Sequence, residues 1–169
     1  AAVAAEHAVT GPLLGLALDG IGLGSDGAAW GGELLIVDGA SFERLGHLAA
    51  LPMPGGDAAA REPWRMAAAA LHRMGRADQI DTRFAHRSAA AAVAQMLARN
   101  LRCPPTTSMG RWFDAAAALL RVRETSAYEG QAPMLLEALA ARGGALVSGA
   151  ALSDLVCIGR DGTLDPTAL

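Results

Sequence analysis

Between Leu13 and Glu33 the chain reads LLGLALDGIGLGSDGAAWGGE, and no other stretch limits the fold as strongly. Apolar residues run from Leu13 to Asp19 with Leu14, Leu16 and Leu18 on one face, which predicts a strand. Glycines at 20, 22 and 24, followed by Ser25-Asp26-Gly27, predict a turn over 20–27. Ala29–Val37 then reads as a second strand with its own Gly-Gly pair, and Phe42–Leu51 as a third, so a meander is expected. A backbone stripped of side chains beside the Asp19 carboxylate admits phosphate and metal closely. An ordinary Asp-Gly hairpin explains the same residues without any ligand. The stretch is not the dinucleotide fingerprint, because strand rather than helix follows the glycines.

Past the third strand the pattern changes. Leu51–Asp57 is a loop rich in Pro and Gly, and a helical region begins near Arg61 and includes Arg65–Met74. Ser88 is placed to cap AAAAVAQMLARN, which ends before Pro104-Pro105. Thr107 or Ser108 can cap SMGRWFDAAAALL, and a further helix is expected over Ser126–Arg142, broken by Gly143-Gly144. Leu152–Ile158 and Thr163 onward read as two strands across Gly159-Arg160-Asp161-Gly162. The order is strands over about 13–51, a helical block over about 61–142, and strands over about 152–169. It predicts an α/β or α+β domain with the helices inserted between strands. Ala1–His7 reads as the end of a helix and the chain closes on LDPTAL, so a piece of a larger protein is expected.

The 169 residues suffice for one core, but Ala dominates the 52% that are hydrophobic. The core is therefore expected from Leu, Val, Ile, Met and the three Trp. A net charge of −3, with 14 basic side chains spread along the chain, argues against nucleic acid or a membrane surface as partner. No apolar run reaches ~20 residues and no signal peptide is visible. Cys103 and Cys157 lack CxxC spacing and are expected as reduced thiols in a cytoplasmic protein. The four His show no ligand spacing, and the sequence contains no P-loop or GxSxG elbow.

Three further clusters carry chemistry or local structure. In Thr107-Ser108-Met109-Gly110-Arg111-Trp112-Phe113-Asp114, hydroxyls at a helix start followed by Arg can cradle phosphate or ribose. The plainer reading is an N-cap with an Arg111–Asp114 pair. Ser126-x-x-Glu129 is a capping box, yet Gly130 and Pro133 sit badly inside a helix, so that helix is expected to start late or kink. Tyr128 and Glu129 would then be exposed at a bend. Around Pro63, Glu62 and the flanking Arg61 and Arg65 read as solvated charges at a helix start.

Taken in order, LALDGIGLGSDGAAWGGELL, FERLGHLAALPMPGGDAAAREPWRMA, TTSMGRWFDAAAALL and YEGQAPMLLEALA resemble the HypF-type hydrogenase-maturation carbamoyltransferases. The match is to their C-terminal domain, which is similar to the threonylcarbamoyl-adenosine protein. The resemblance implies part of an actin/Hsp70-like nucleotide-binding fold. It implies ATP and carbamoyl phosphate as substrates of an upstream activating domain, and carbamoyl-adenylate as the species reaching this one. The carbamoyl group would pass to the C-terminal Cys thiol of a HypE-type maturation partner, on the way to the cyanide ligands of [NiFe]-hydrogenase. Carried over by motif, Asp19 is a ligand of a divalent metal, iron, and Gly20, Gly22 and Gly24 form the phosphate turn. Asp114 lies near the ribose, and Ser108, Gly110, Arg111 and Glu129 complete the nucleotide-binding set. The family's other metal ligands, an upstream HHxAH segment and a late Asp, have no counterpart here, so the chain alone is expected to be inactive. Two rivals stand beside this reading: a non-catalytic remnant that binds nucleotide or a partner, and an O-carbamoyltransferase of antibiotic biosynthesis.

Overall fold

β1 (Leu13–Leu23) and β2 (Ala29–Asp38) form a long antiparallel hairpin in the computed structural model, which describes residues 2–143 and 157–166. Their alternating and β-branched residues favour extended backbone, as the sequence predicts. The glycines, however, do not all form the turn. β1 continues through Gly20 and Gly22 to Leu23, and the reversal is confined to residues 24–28, where Gly27 takes φ +78° and Gly27 N–H donates to Gly24 C=O. Leu18 pairs with Gly32 and Gly22 with Trp30, so Asp19, Gly20 and Ile21 face the single residue Gly31. This is a β-bulge, a device that re-aims side chains and increases local twist. The expected turn over 20–27 is thus corrected to a bulge followed by a tight turn.

β2 has neighbours on both edges. β1 lies along one; β3 (Ser41–Leu48, antiparallel) and β5 (Pro105–Thr106, parallel) share the other. β4 (Leu51–Pro52) joins β5, and β6 (Cys157–Ile158) and β7 (Thr163–Asp165) extend the sheet beyond β3. The seven strands run β4-β5-β2-β3-β7-β6, with β1 against the free edge of β2. The sequence missed β5, because two prolines precede its one Thr and no periodicity shows in a two-residue strand. The expected strand over 152–158 is present at Cys157–Ile158, and its first residues lie outside those described.

Helices occupy the middle of the chain. α1 (Ala2–Glu6) precedes the sheet; α2 (Asp57–Arg61), α3 (Pro63–Arg73), α4 (Gln79–Arg83) and α5 (Ala90–Ala98) follow it. α6 (Met109–Leu119) and α7 (Gln131–Gly143) come after β5. Pro63 opens α3, where its missing N–H is no loss. Ser108 caps α6 as expected, its Oγ accepting from Arg111 N–H at 3.2 Å. Ser88 does not cap α5: the cap position is Ala89, with no side-chain hydrogen bond. The helix expected from Ser126 begins at Gln131, because Gly130 takes φ +80° and Pro133 then falls in the first turn, where it is tolerated.

The main core lies among α3, α5, α6 and β4, and Ala builds much of it. Ala67, Ala68, Ala69, Ala115 and Ala118 are all at most 1% exposed, alongside Trp64, Met66, Phe84, Ile80 and Val93. Small side chains let α3 and α6 approach closely, so these helices gain dispersion contacts without large residues. Of the three Trp only Trp64 is fully buried; it stacks obliquely on Phe84 at 5.7 Å. Leu14, Leu16 and Leu18 share the predicted face of β1, but that face is open, with Leu16 64% exposed. Ala68→Leu should therefore destabilise the chain by about 1–3 kcal/mol through overpacking. Leu16→Ser should change stability by no more than ~0.5 kcal/mol. Urea unfolding of both variants measures the contrast, and equal losses would contradict this placement of the core.

Candidate functional site

The bulge in β1 and the first turn of α6 meet face to face. Gly31, opposite the bulge, has no room for a side chain: a Cβ there would lie 2.7 Å from Asp19 C=O and 2.9 Å from Ser108 Cα. A Cβ on Gly110 would lie 3.0 Å from Gly20 Cα. Glycine at these two positions lets the helix N-terminus press onto the strand. Ser108, fully buried, closes the contact: its hydroxyl donates to the carbonyls of Asp19 and Gly20 while accepting from Arg111 N–H. The Ser108 hydroxyl is therefore engaged within the protein and acts by position.

Around this contact the structure gathers most of the residues singled out from the sequence. Asp19 is exposed at the bulge, its Oδ1 accepting from Gly20 N–H at 2.6 Å. Glu129 lies across from it, with Oε1 3.5 Å from where a Gly20 Cβ would stand. Gly22 borders Asp19 and is open: a Cβ would meet only Trp30 C=O at 3.7 Å and Asp19 Oδ2 at 3.9 Å. Gly24 differs, because a Cβ there would collide with the Trp30 indole. None of these three glycines has positive φ.

One turn into α6, Arg111 and Asp114 are buried at 6% and 2% exposure. The guanidinium stands 3.1 Å from Asp114 Oδ2, yet neither Asp114 Oδ2 nor Arg111 Nε makes an aligned hydrogen bond. Burial pushes the Asp114 carboxyl up to about 6; Arg111 pulls it down and the Glu129 charge pushes it further up. A buried acceptor and donor without aligned hydrogen bonds are costly to leave so.

Glu33 was not singled out from the sequence, and Thr107 was read as a possible cap or a hydroxyl that could cradle phosphate or ribose. Glu33 is 2% exposed in β2. Its Oε1 accepts from Gly31 N–H at 3.0 Å, Gly32 N–H at 3.2 Å and the Thr107 hydroxyl. Its Oε2 accepts from Arg44 Nε at 2.6 Å. Burial alone would raise its pKa, but Thr107, Gly31, Gly32 and Arg44 hold it below the usual carboxylate range. Arg44 in turn lies over the Trp30 ring at 4.2 Å, and Trp30 packs on Gly24. The available signal was a lone acid inside the apolar strand AWGGELLIV.

Among the described residues no group of three or more His, Cys, Asp or Glu converges on a point that could hold a metal. Asp19 is a single donor, and one carboxylate does not make a site for a divalent ion. Beside Asp19 the backbone at Gly20 and Gly22 is open, and Arg111 Nε and Asp114 Oδ2 make no aligned hydrogen bond. Among the described residues no helix is long and apolar enough to cross a membrane. Cys103 is buried and free, its thiol pushed up by burial.

The Asp114 shift has a sign that can be tested. Its folded pKa of about 6 exceeds the ordinary 3.8, so between these values the folded state keeps a proton the unfolded state has lost. Stability then falls as pH rises from about 4 to about 6, by roughly 2–3 kcal/mol from this group, and levels off above. Asp114→Asn should remove that slope in pH-dependent chemical unfolding. Glu33 acts in a lower window, since its depressed pKa gives stability that is lost as pH falls through a value below 4.5. A slope between pH 4 and 6 that survives in Asp114→Asn would contradict the assignment.

Residues 15–155 match the family described as carbamoyltransferase, Kae1-like domain, second subdomain. Over 140 residues the chain is 66% identical to Carbamoyltransferase HypF2 of Cupriavidus necator, a match covering 83% of this chain and 17% of that protein. It is 53% identical over 173 residues to a Carbamoyltransferase HypF homolog of the same organism, covering 98% of this chain and 43% of the relative. A HypF crystal structure in the phosphate- and nucleotide-bound form aligns with a TM-score of 0.79 at 32% identity, over 96% of this chain and 21% of that one. The HypF structure from T. kodakarensis aligns with a TM-score of 0.82 at 29% identity, over 98% of this chain and 23% of that one. The chain thus spans less than half the length of each of these relatives.

Proposed function

Because the chain belongs to the HypF carbamoyltransferase family, through the second subdomain of its Kae1-like domain, we propose that it forms part of the site that receives carbamoyl-adenylate. The observation that carries this reading is the docking of the α6 N-terminus onto the β1 bulge. Open backbone at Gly20 and Gly22 and the ion-paired Arg111 and Asp114, whose Nε and Oδ2 make no aligned hydrogen bond, line that junction. ATP and carbamoyl phosphate would be joined elsewhere in the longer enzyme. The product is delivered here, and its adenylate phosphate rests against Gly20, Gly22 and Gly110. Asp114 accepts a ribose hydroxyl, and Arg111 offers positive charge beside it.

The acceptor is the C-terminal Cys thiolate of a HypE-type maturation protein. Its sulfur attacks the carbamoyl carbon, an S–C bond forms, the C–O bond to phosphate breaks, and AMP leaves. The thiocarbamate then supplies the cyanide ligands of [NiFe]-hydrogenase in the cytoplasm. This chain's own contribution is positioning: a held adenylate presents the face of the carbonyl to the thiolate, which adds before AMP is expelled, without a covalent enzyme intermediate. Asp19 is proposed as one donor to a divalent metal, iron, whose other ligands this chain does not supply, and no step is routed through it. The nucleotide-bound HypF structure supports nucleotide binding in this family.

Gly22 and Gly24 separate ligand from fold. Gly22→Ala finds ordinary contacts and should leave the melting temperature nearly unchanged while weakening AMP at least about tenfold in calorimetry. Gly24→Ala meets Trp30 and should instead destabilise the chain by about 1–3 kcal/mol. Unchanged AMP affinity in Gly22→Ala would remove phosphate from this junction. In a full-length enzyme carrying this segment, Asp19→Ala should abolish carbamoyl transfer while carbamoyl-phosphate-dependent ATP/pyrophosphate exchange persists. Loss of both together would show that activation also needs this site.

A further inference from the structure

The proposed site is assembled from three separate pieces of chain: the β1 bulge, β2, and the start of α6. Backbone contacts alone do not explain why they hold one geometry. Glu33 lies in β2 and bonds both that strand and the residue before the α6 cap. Its Oε1 takes three donors, from Gly31, Gly32 and Thr107. Gly31 N–H and Gly32 N–H belong to the strand that faces the bulge, and Thr107 is the residue before the α6 cap. Thr107 N–H also donates to Ala29 C=O at 3.2 Å, so the segment leading into α6 is tied to β2 by main chain and side chain together.

Glu33 Oε2 takes the Arg44 guanidinium, with Nη2 at 2.5 Å and Nε at 2.6 Å. That guanidinium covers Trp30, which fills the space beside Gly24. One oxygen therefore secures the helix side of the junction and the other secures the turn side. A carboxylate this buried is held only because every lone pair direction meets a donor. A conformational slip of either wall would leave it with unmatched charge, so the group penalises any geometry but this one.

We propose that Glu33 is a positioning residue for the nucleotide: acting through Thr107, it sets where Ser108 and the α6 N-terminus stand against Asp19 and Gly20. The inference deepens the functional reading above and rests on it. Glu33 itself lies beneath the junction and touches no ligand. Its effect reaches the ligand through Thr107 to Ser108, whose hydroxyl holds the Asp19 and Gly20 carbonyls and the Arg111 N–H.

Thr107→Val keeps the side-chain shape and removes the hydroxyl that Glu33 holds; Thr107→Ser keeps the hydroxyl. Glu33→Gln removes the charge. Each is compared with the unaltered chain at a temperature well below melting, with AMP as the probe. Two quantities are read: AMP affinity by calorimetry, and hydrogen exchange at the Arg111 amide. Thr107→Val should weaken AMP about tenfold and speed Arg111 exchange at least about tenfold, with Thr107→Ser within about twofold of the parent on both. Glu33→Gln should move both readouts in the same direction. A lowered melting temperature in Thr107→Val with unchanged AMP affinity would make the contact merely structural and overturn the proposal. If the parent chain does not bind AMP, the functional reading fails, and Arg111 exchange alone decides on positioning: equal exchange in Thr107→Val and parent overturns it.

Discussion

A helix N-terminus pressed onto a bulged strand imposes conditions on everything around it. The strand opposite the bulge must be free of a side chain where the helix arrives, hence Gly31. The helix must be equally bare in its first turn, hence Gly110, although glycine there lowers helix propensity by ~1 kcal/mol relative to Ala. The carbonyls that the bulge leaves unpaired need a donor, and the Ser108 hydroxyl provides it while capping α6. Buried beneath them, Glu33 links β2, Arg44 and Thr107 into one unit. These residues are far apart in sequence and depend on one another in space.

The Arg111–Asp114 pair of α6 keeps buried atoms without an aligned hydrogen bond. Both Glu33 oxygens accept hydrogen bonds and its pKa is depressed; Asp114, also 2% exposed, pairs with Arg111 at 3.1 Å without an aligned hydrogen bond at Oδ2 and is raised to about 6. The two carboxylates are alike in surface exposure and differ in their donors. The scaffold satisfies the first fully and leaves the second with an ion pair but no aligned hydrogen bond at Oδ2. Such departures are expected where function is carried.

Much of this was legible in the chain. Alternation gave β2 and the first part of β1, and the Ala-rich periodic segments gave α3, α5 and α6, with Ser108 one of the two expected caps. Gly130 and Pro133 also signalled that the last long helix starts late. The bulge was not legible, because glycines in a strand and glycines in a turn look alike until the partner strand fixes the register. The core was misjudged for a related reason: Ala67–Ala70 bury little area singly, and their value lies in how closely α6 approaches. Glu33 escaped notice because its partners Thr107 and Arg44 come from other elements, and no local spacing connects them. Asp19, Gly20, Gly110, Arg111, Asp114 and Glu129 were read as candidates and do gather at one junction, whereas Gly24 serves Trp30 packing.

The central claim is that a nucleotide binds at the meeting of the β1 bulge and the start of α6. Amide hydrogen exchange of the chain with and without saturating AMP measures this directly. The account predicts slowed exchange confined to residues 19–22 and 108–114, with the remote amides of α4 and α5 unchanged. Protection elsewhere on the chain, or none at these two segments under conditions where AMP is bound, would contradict it.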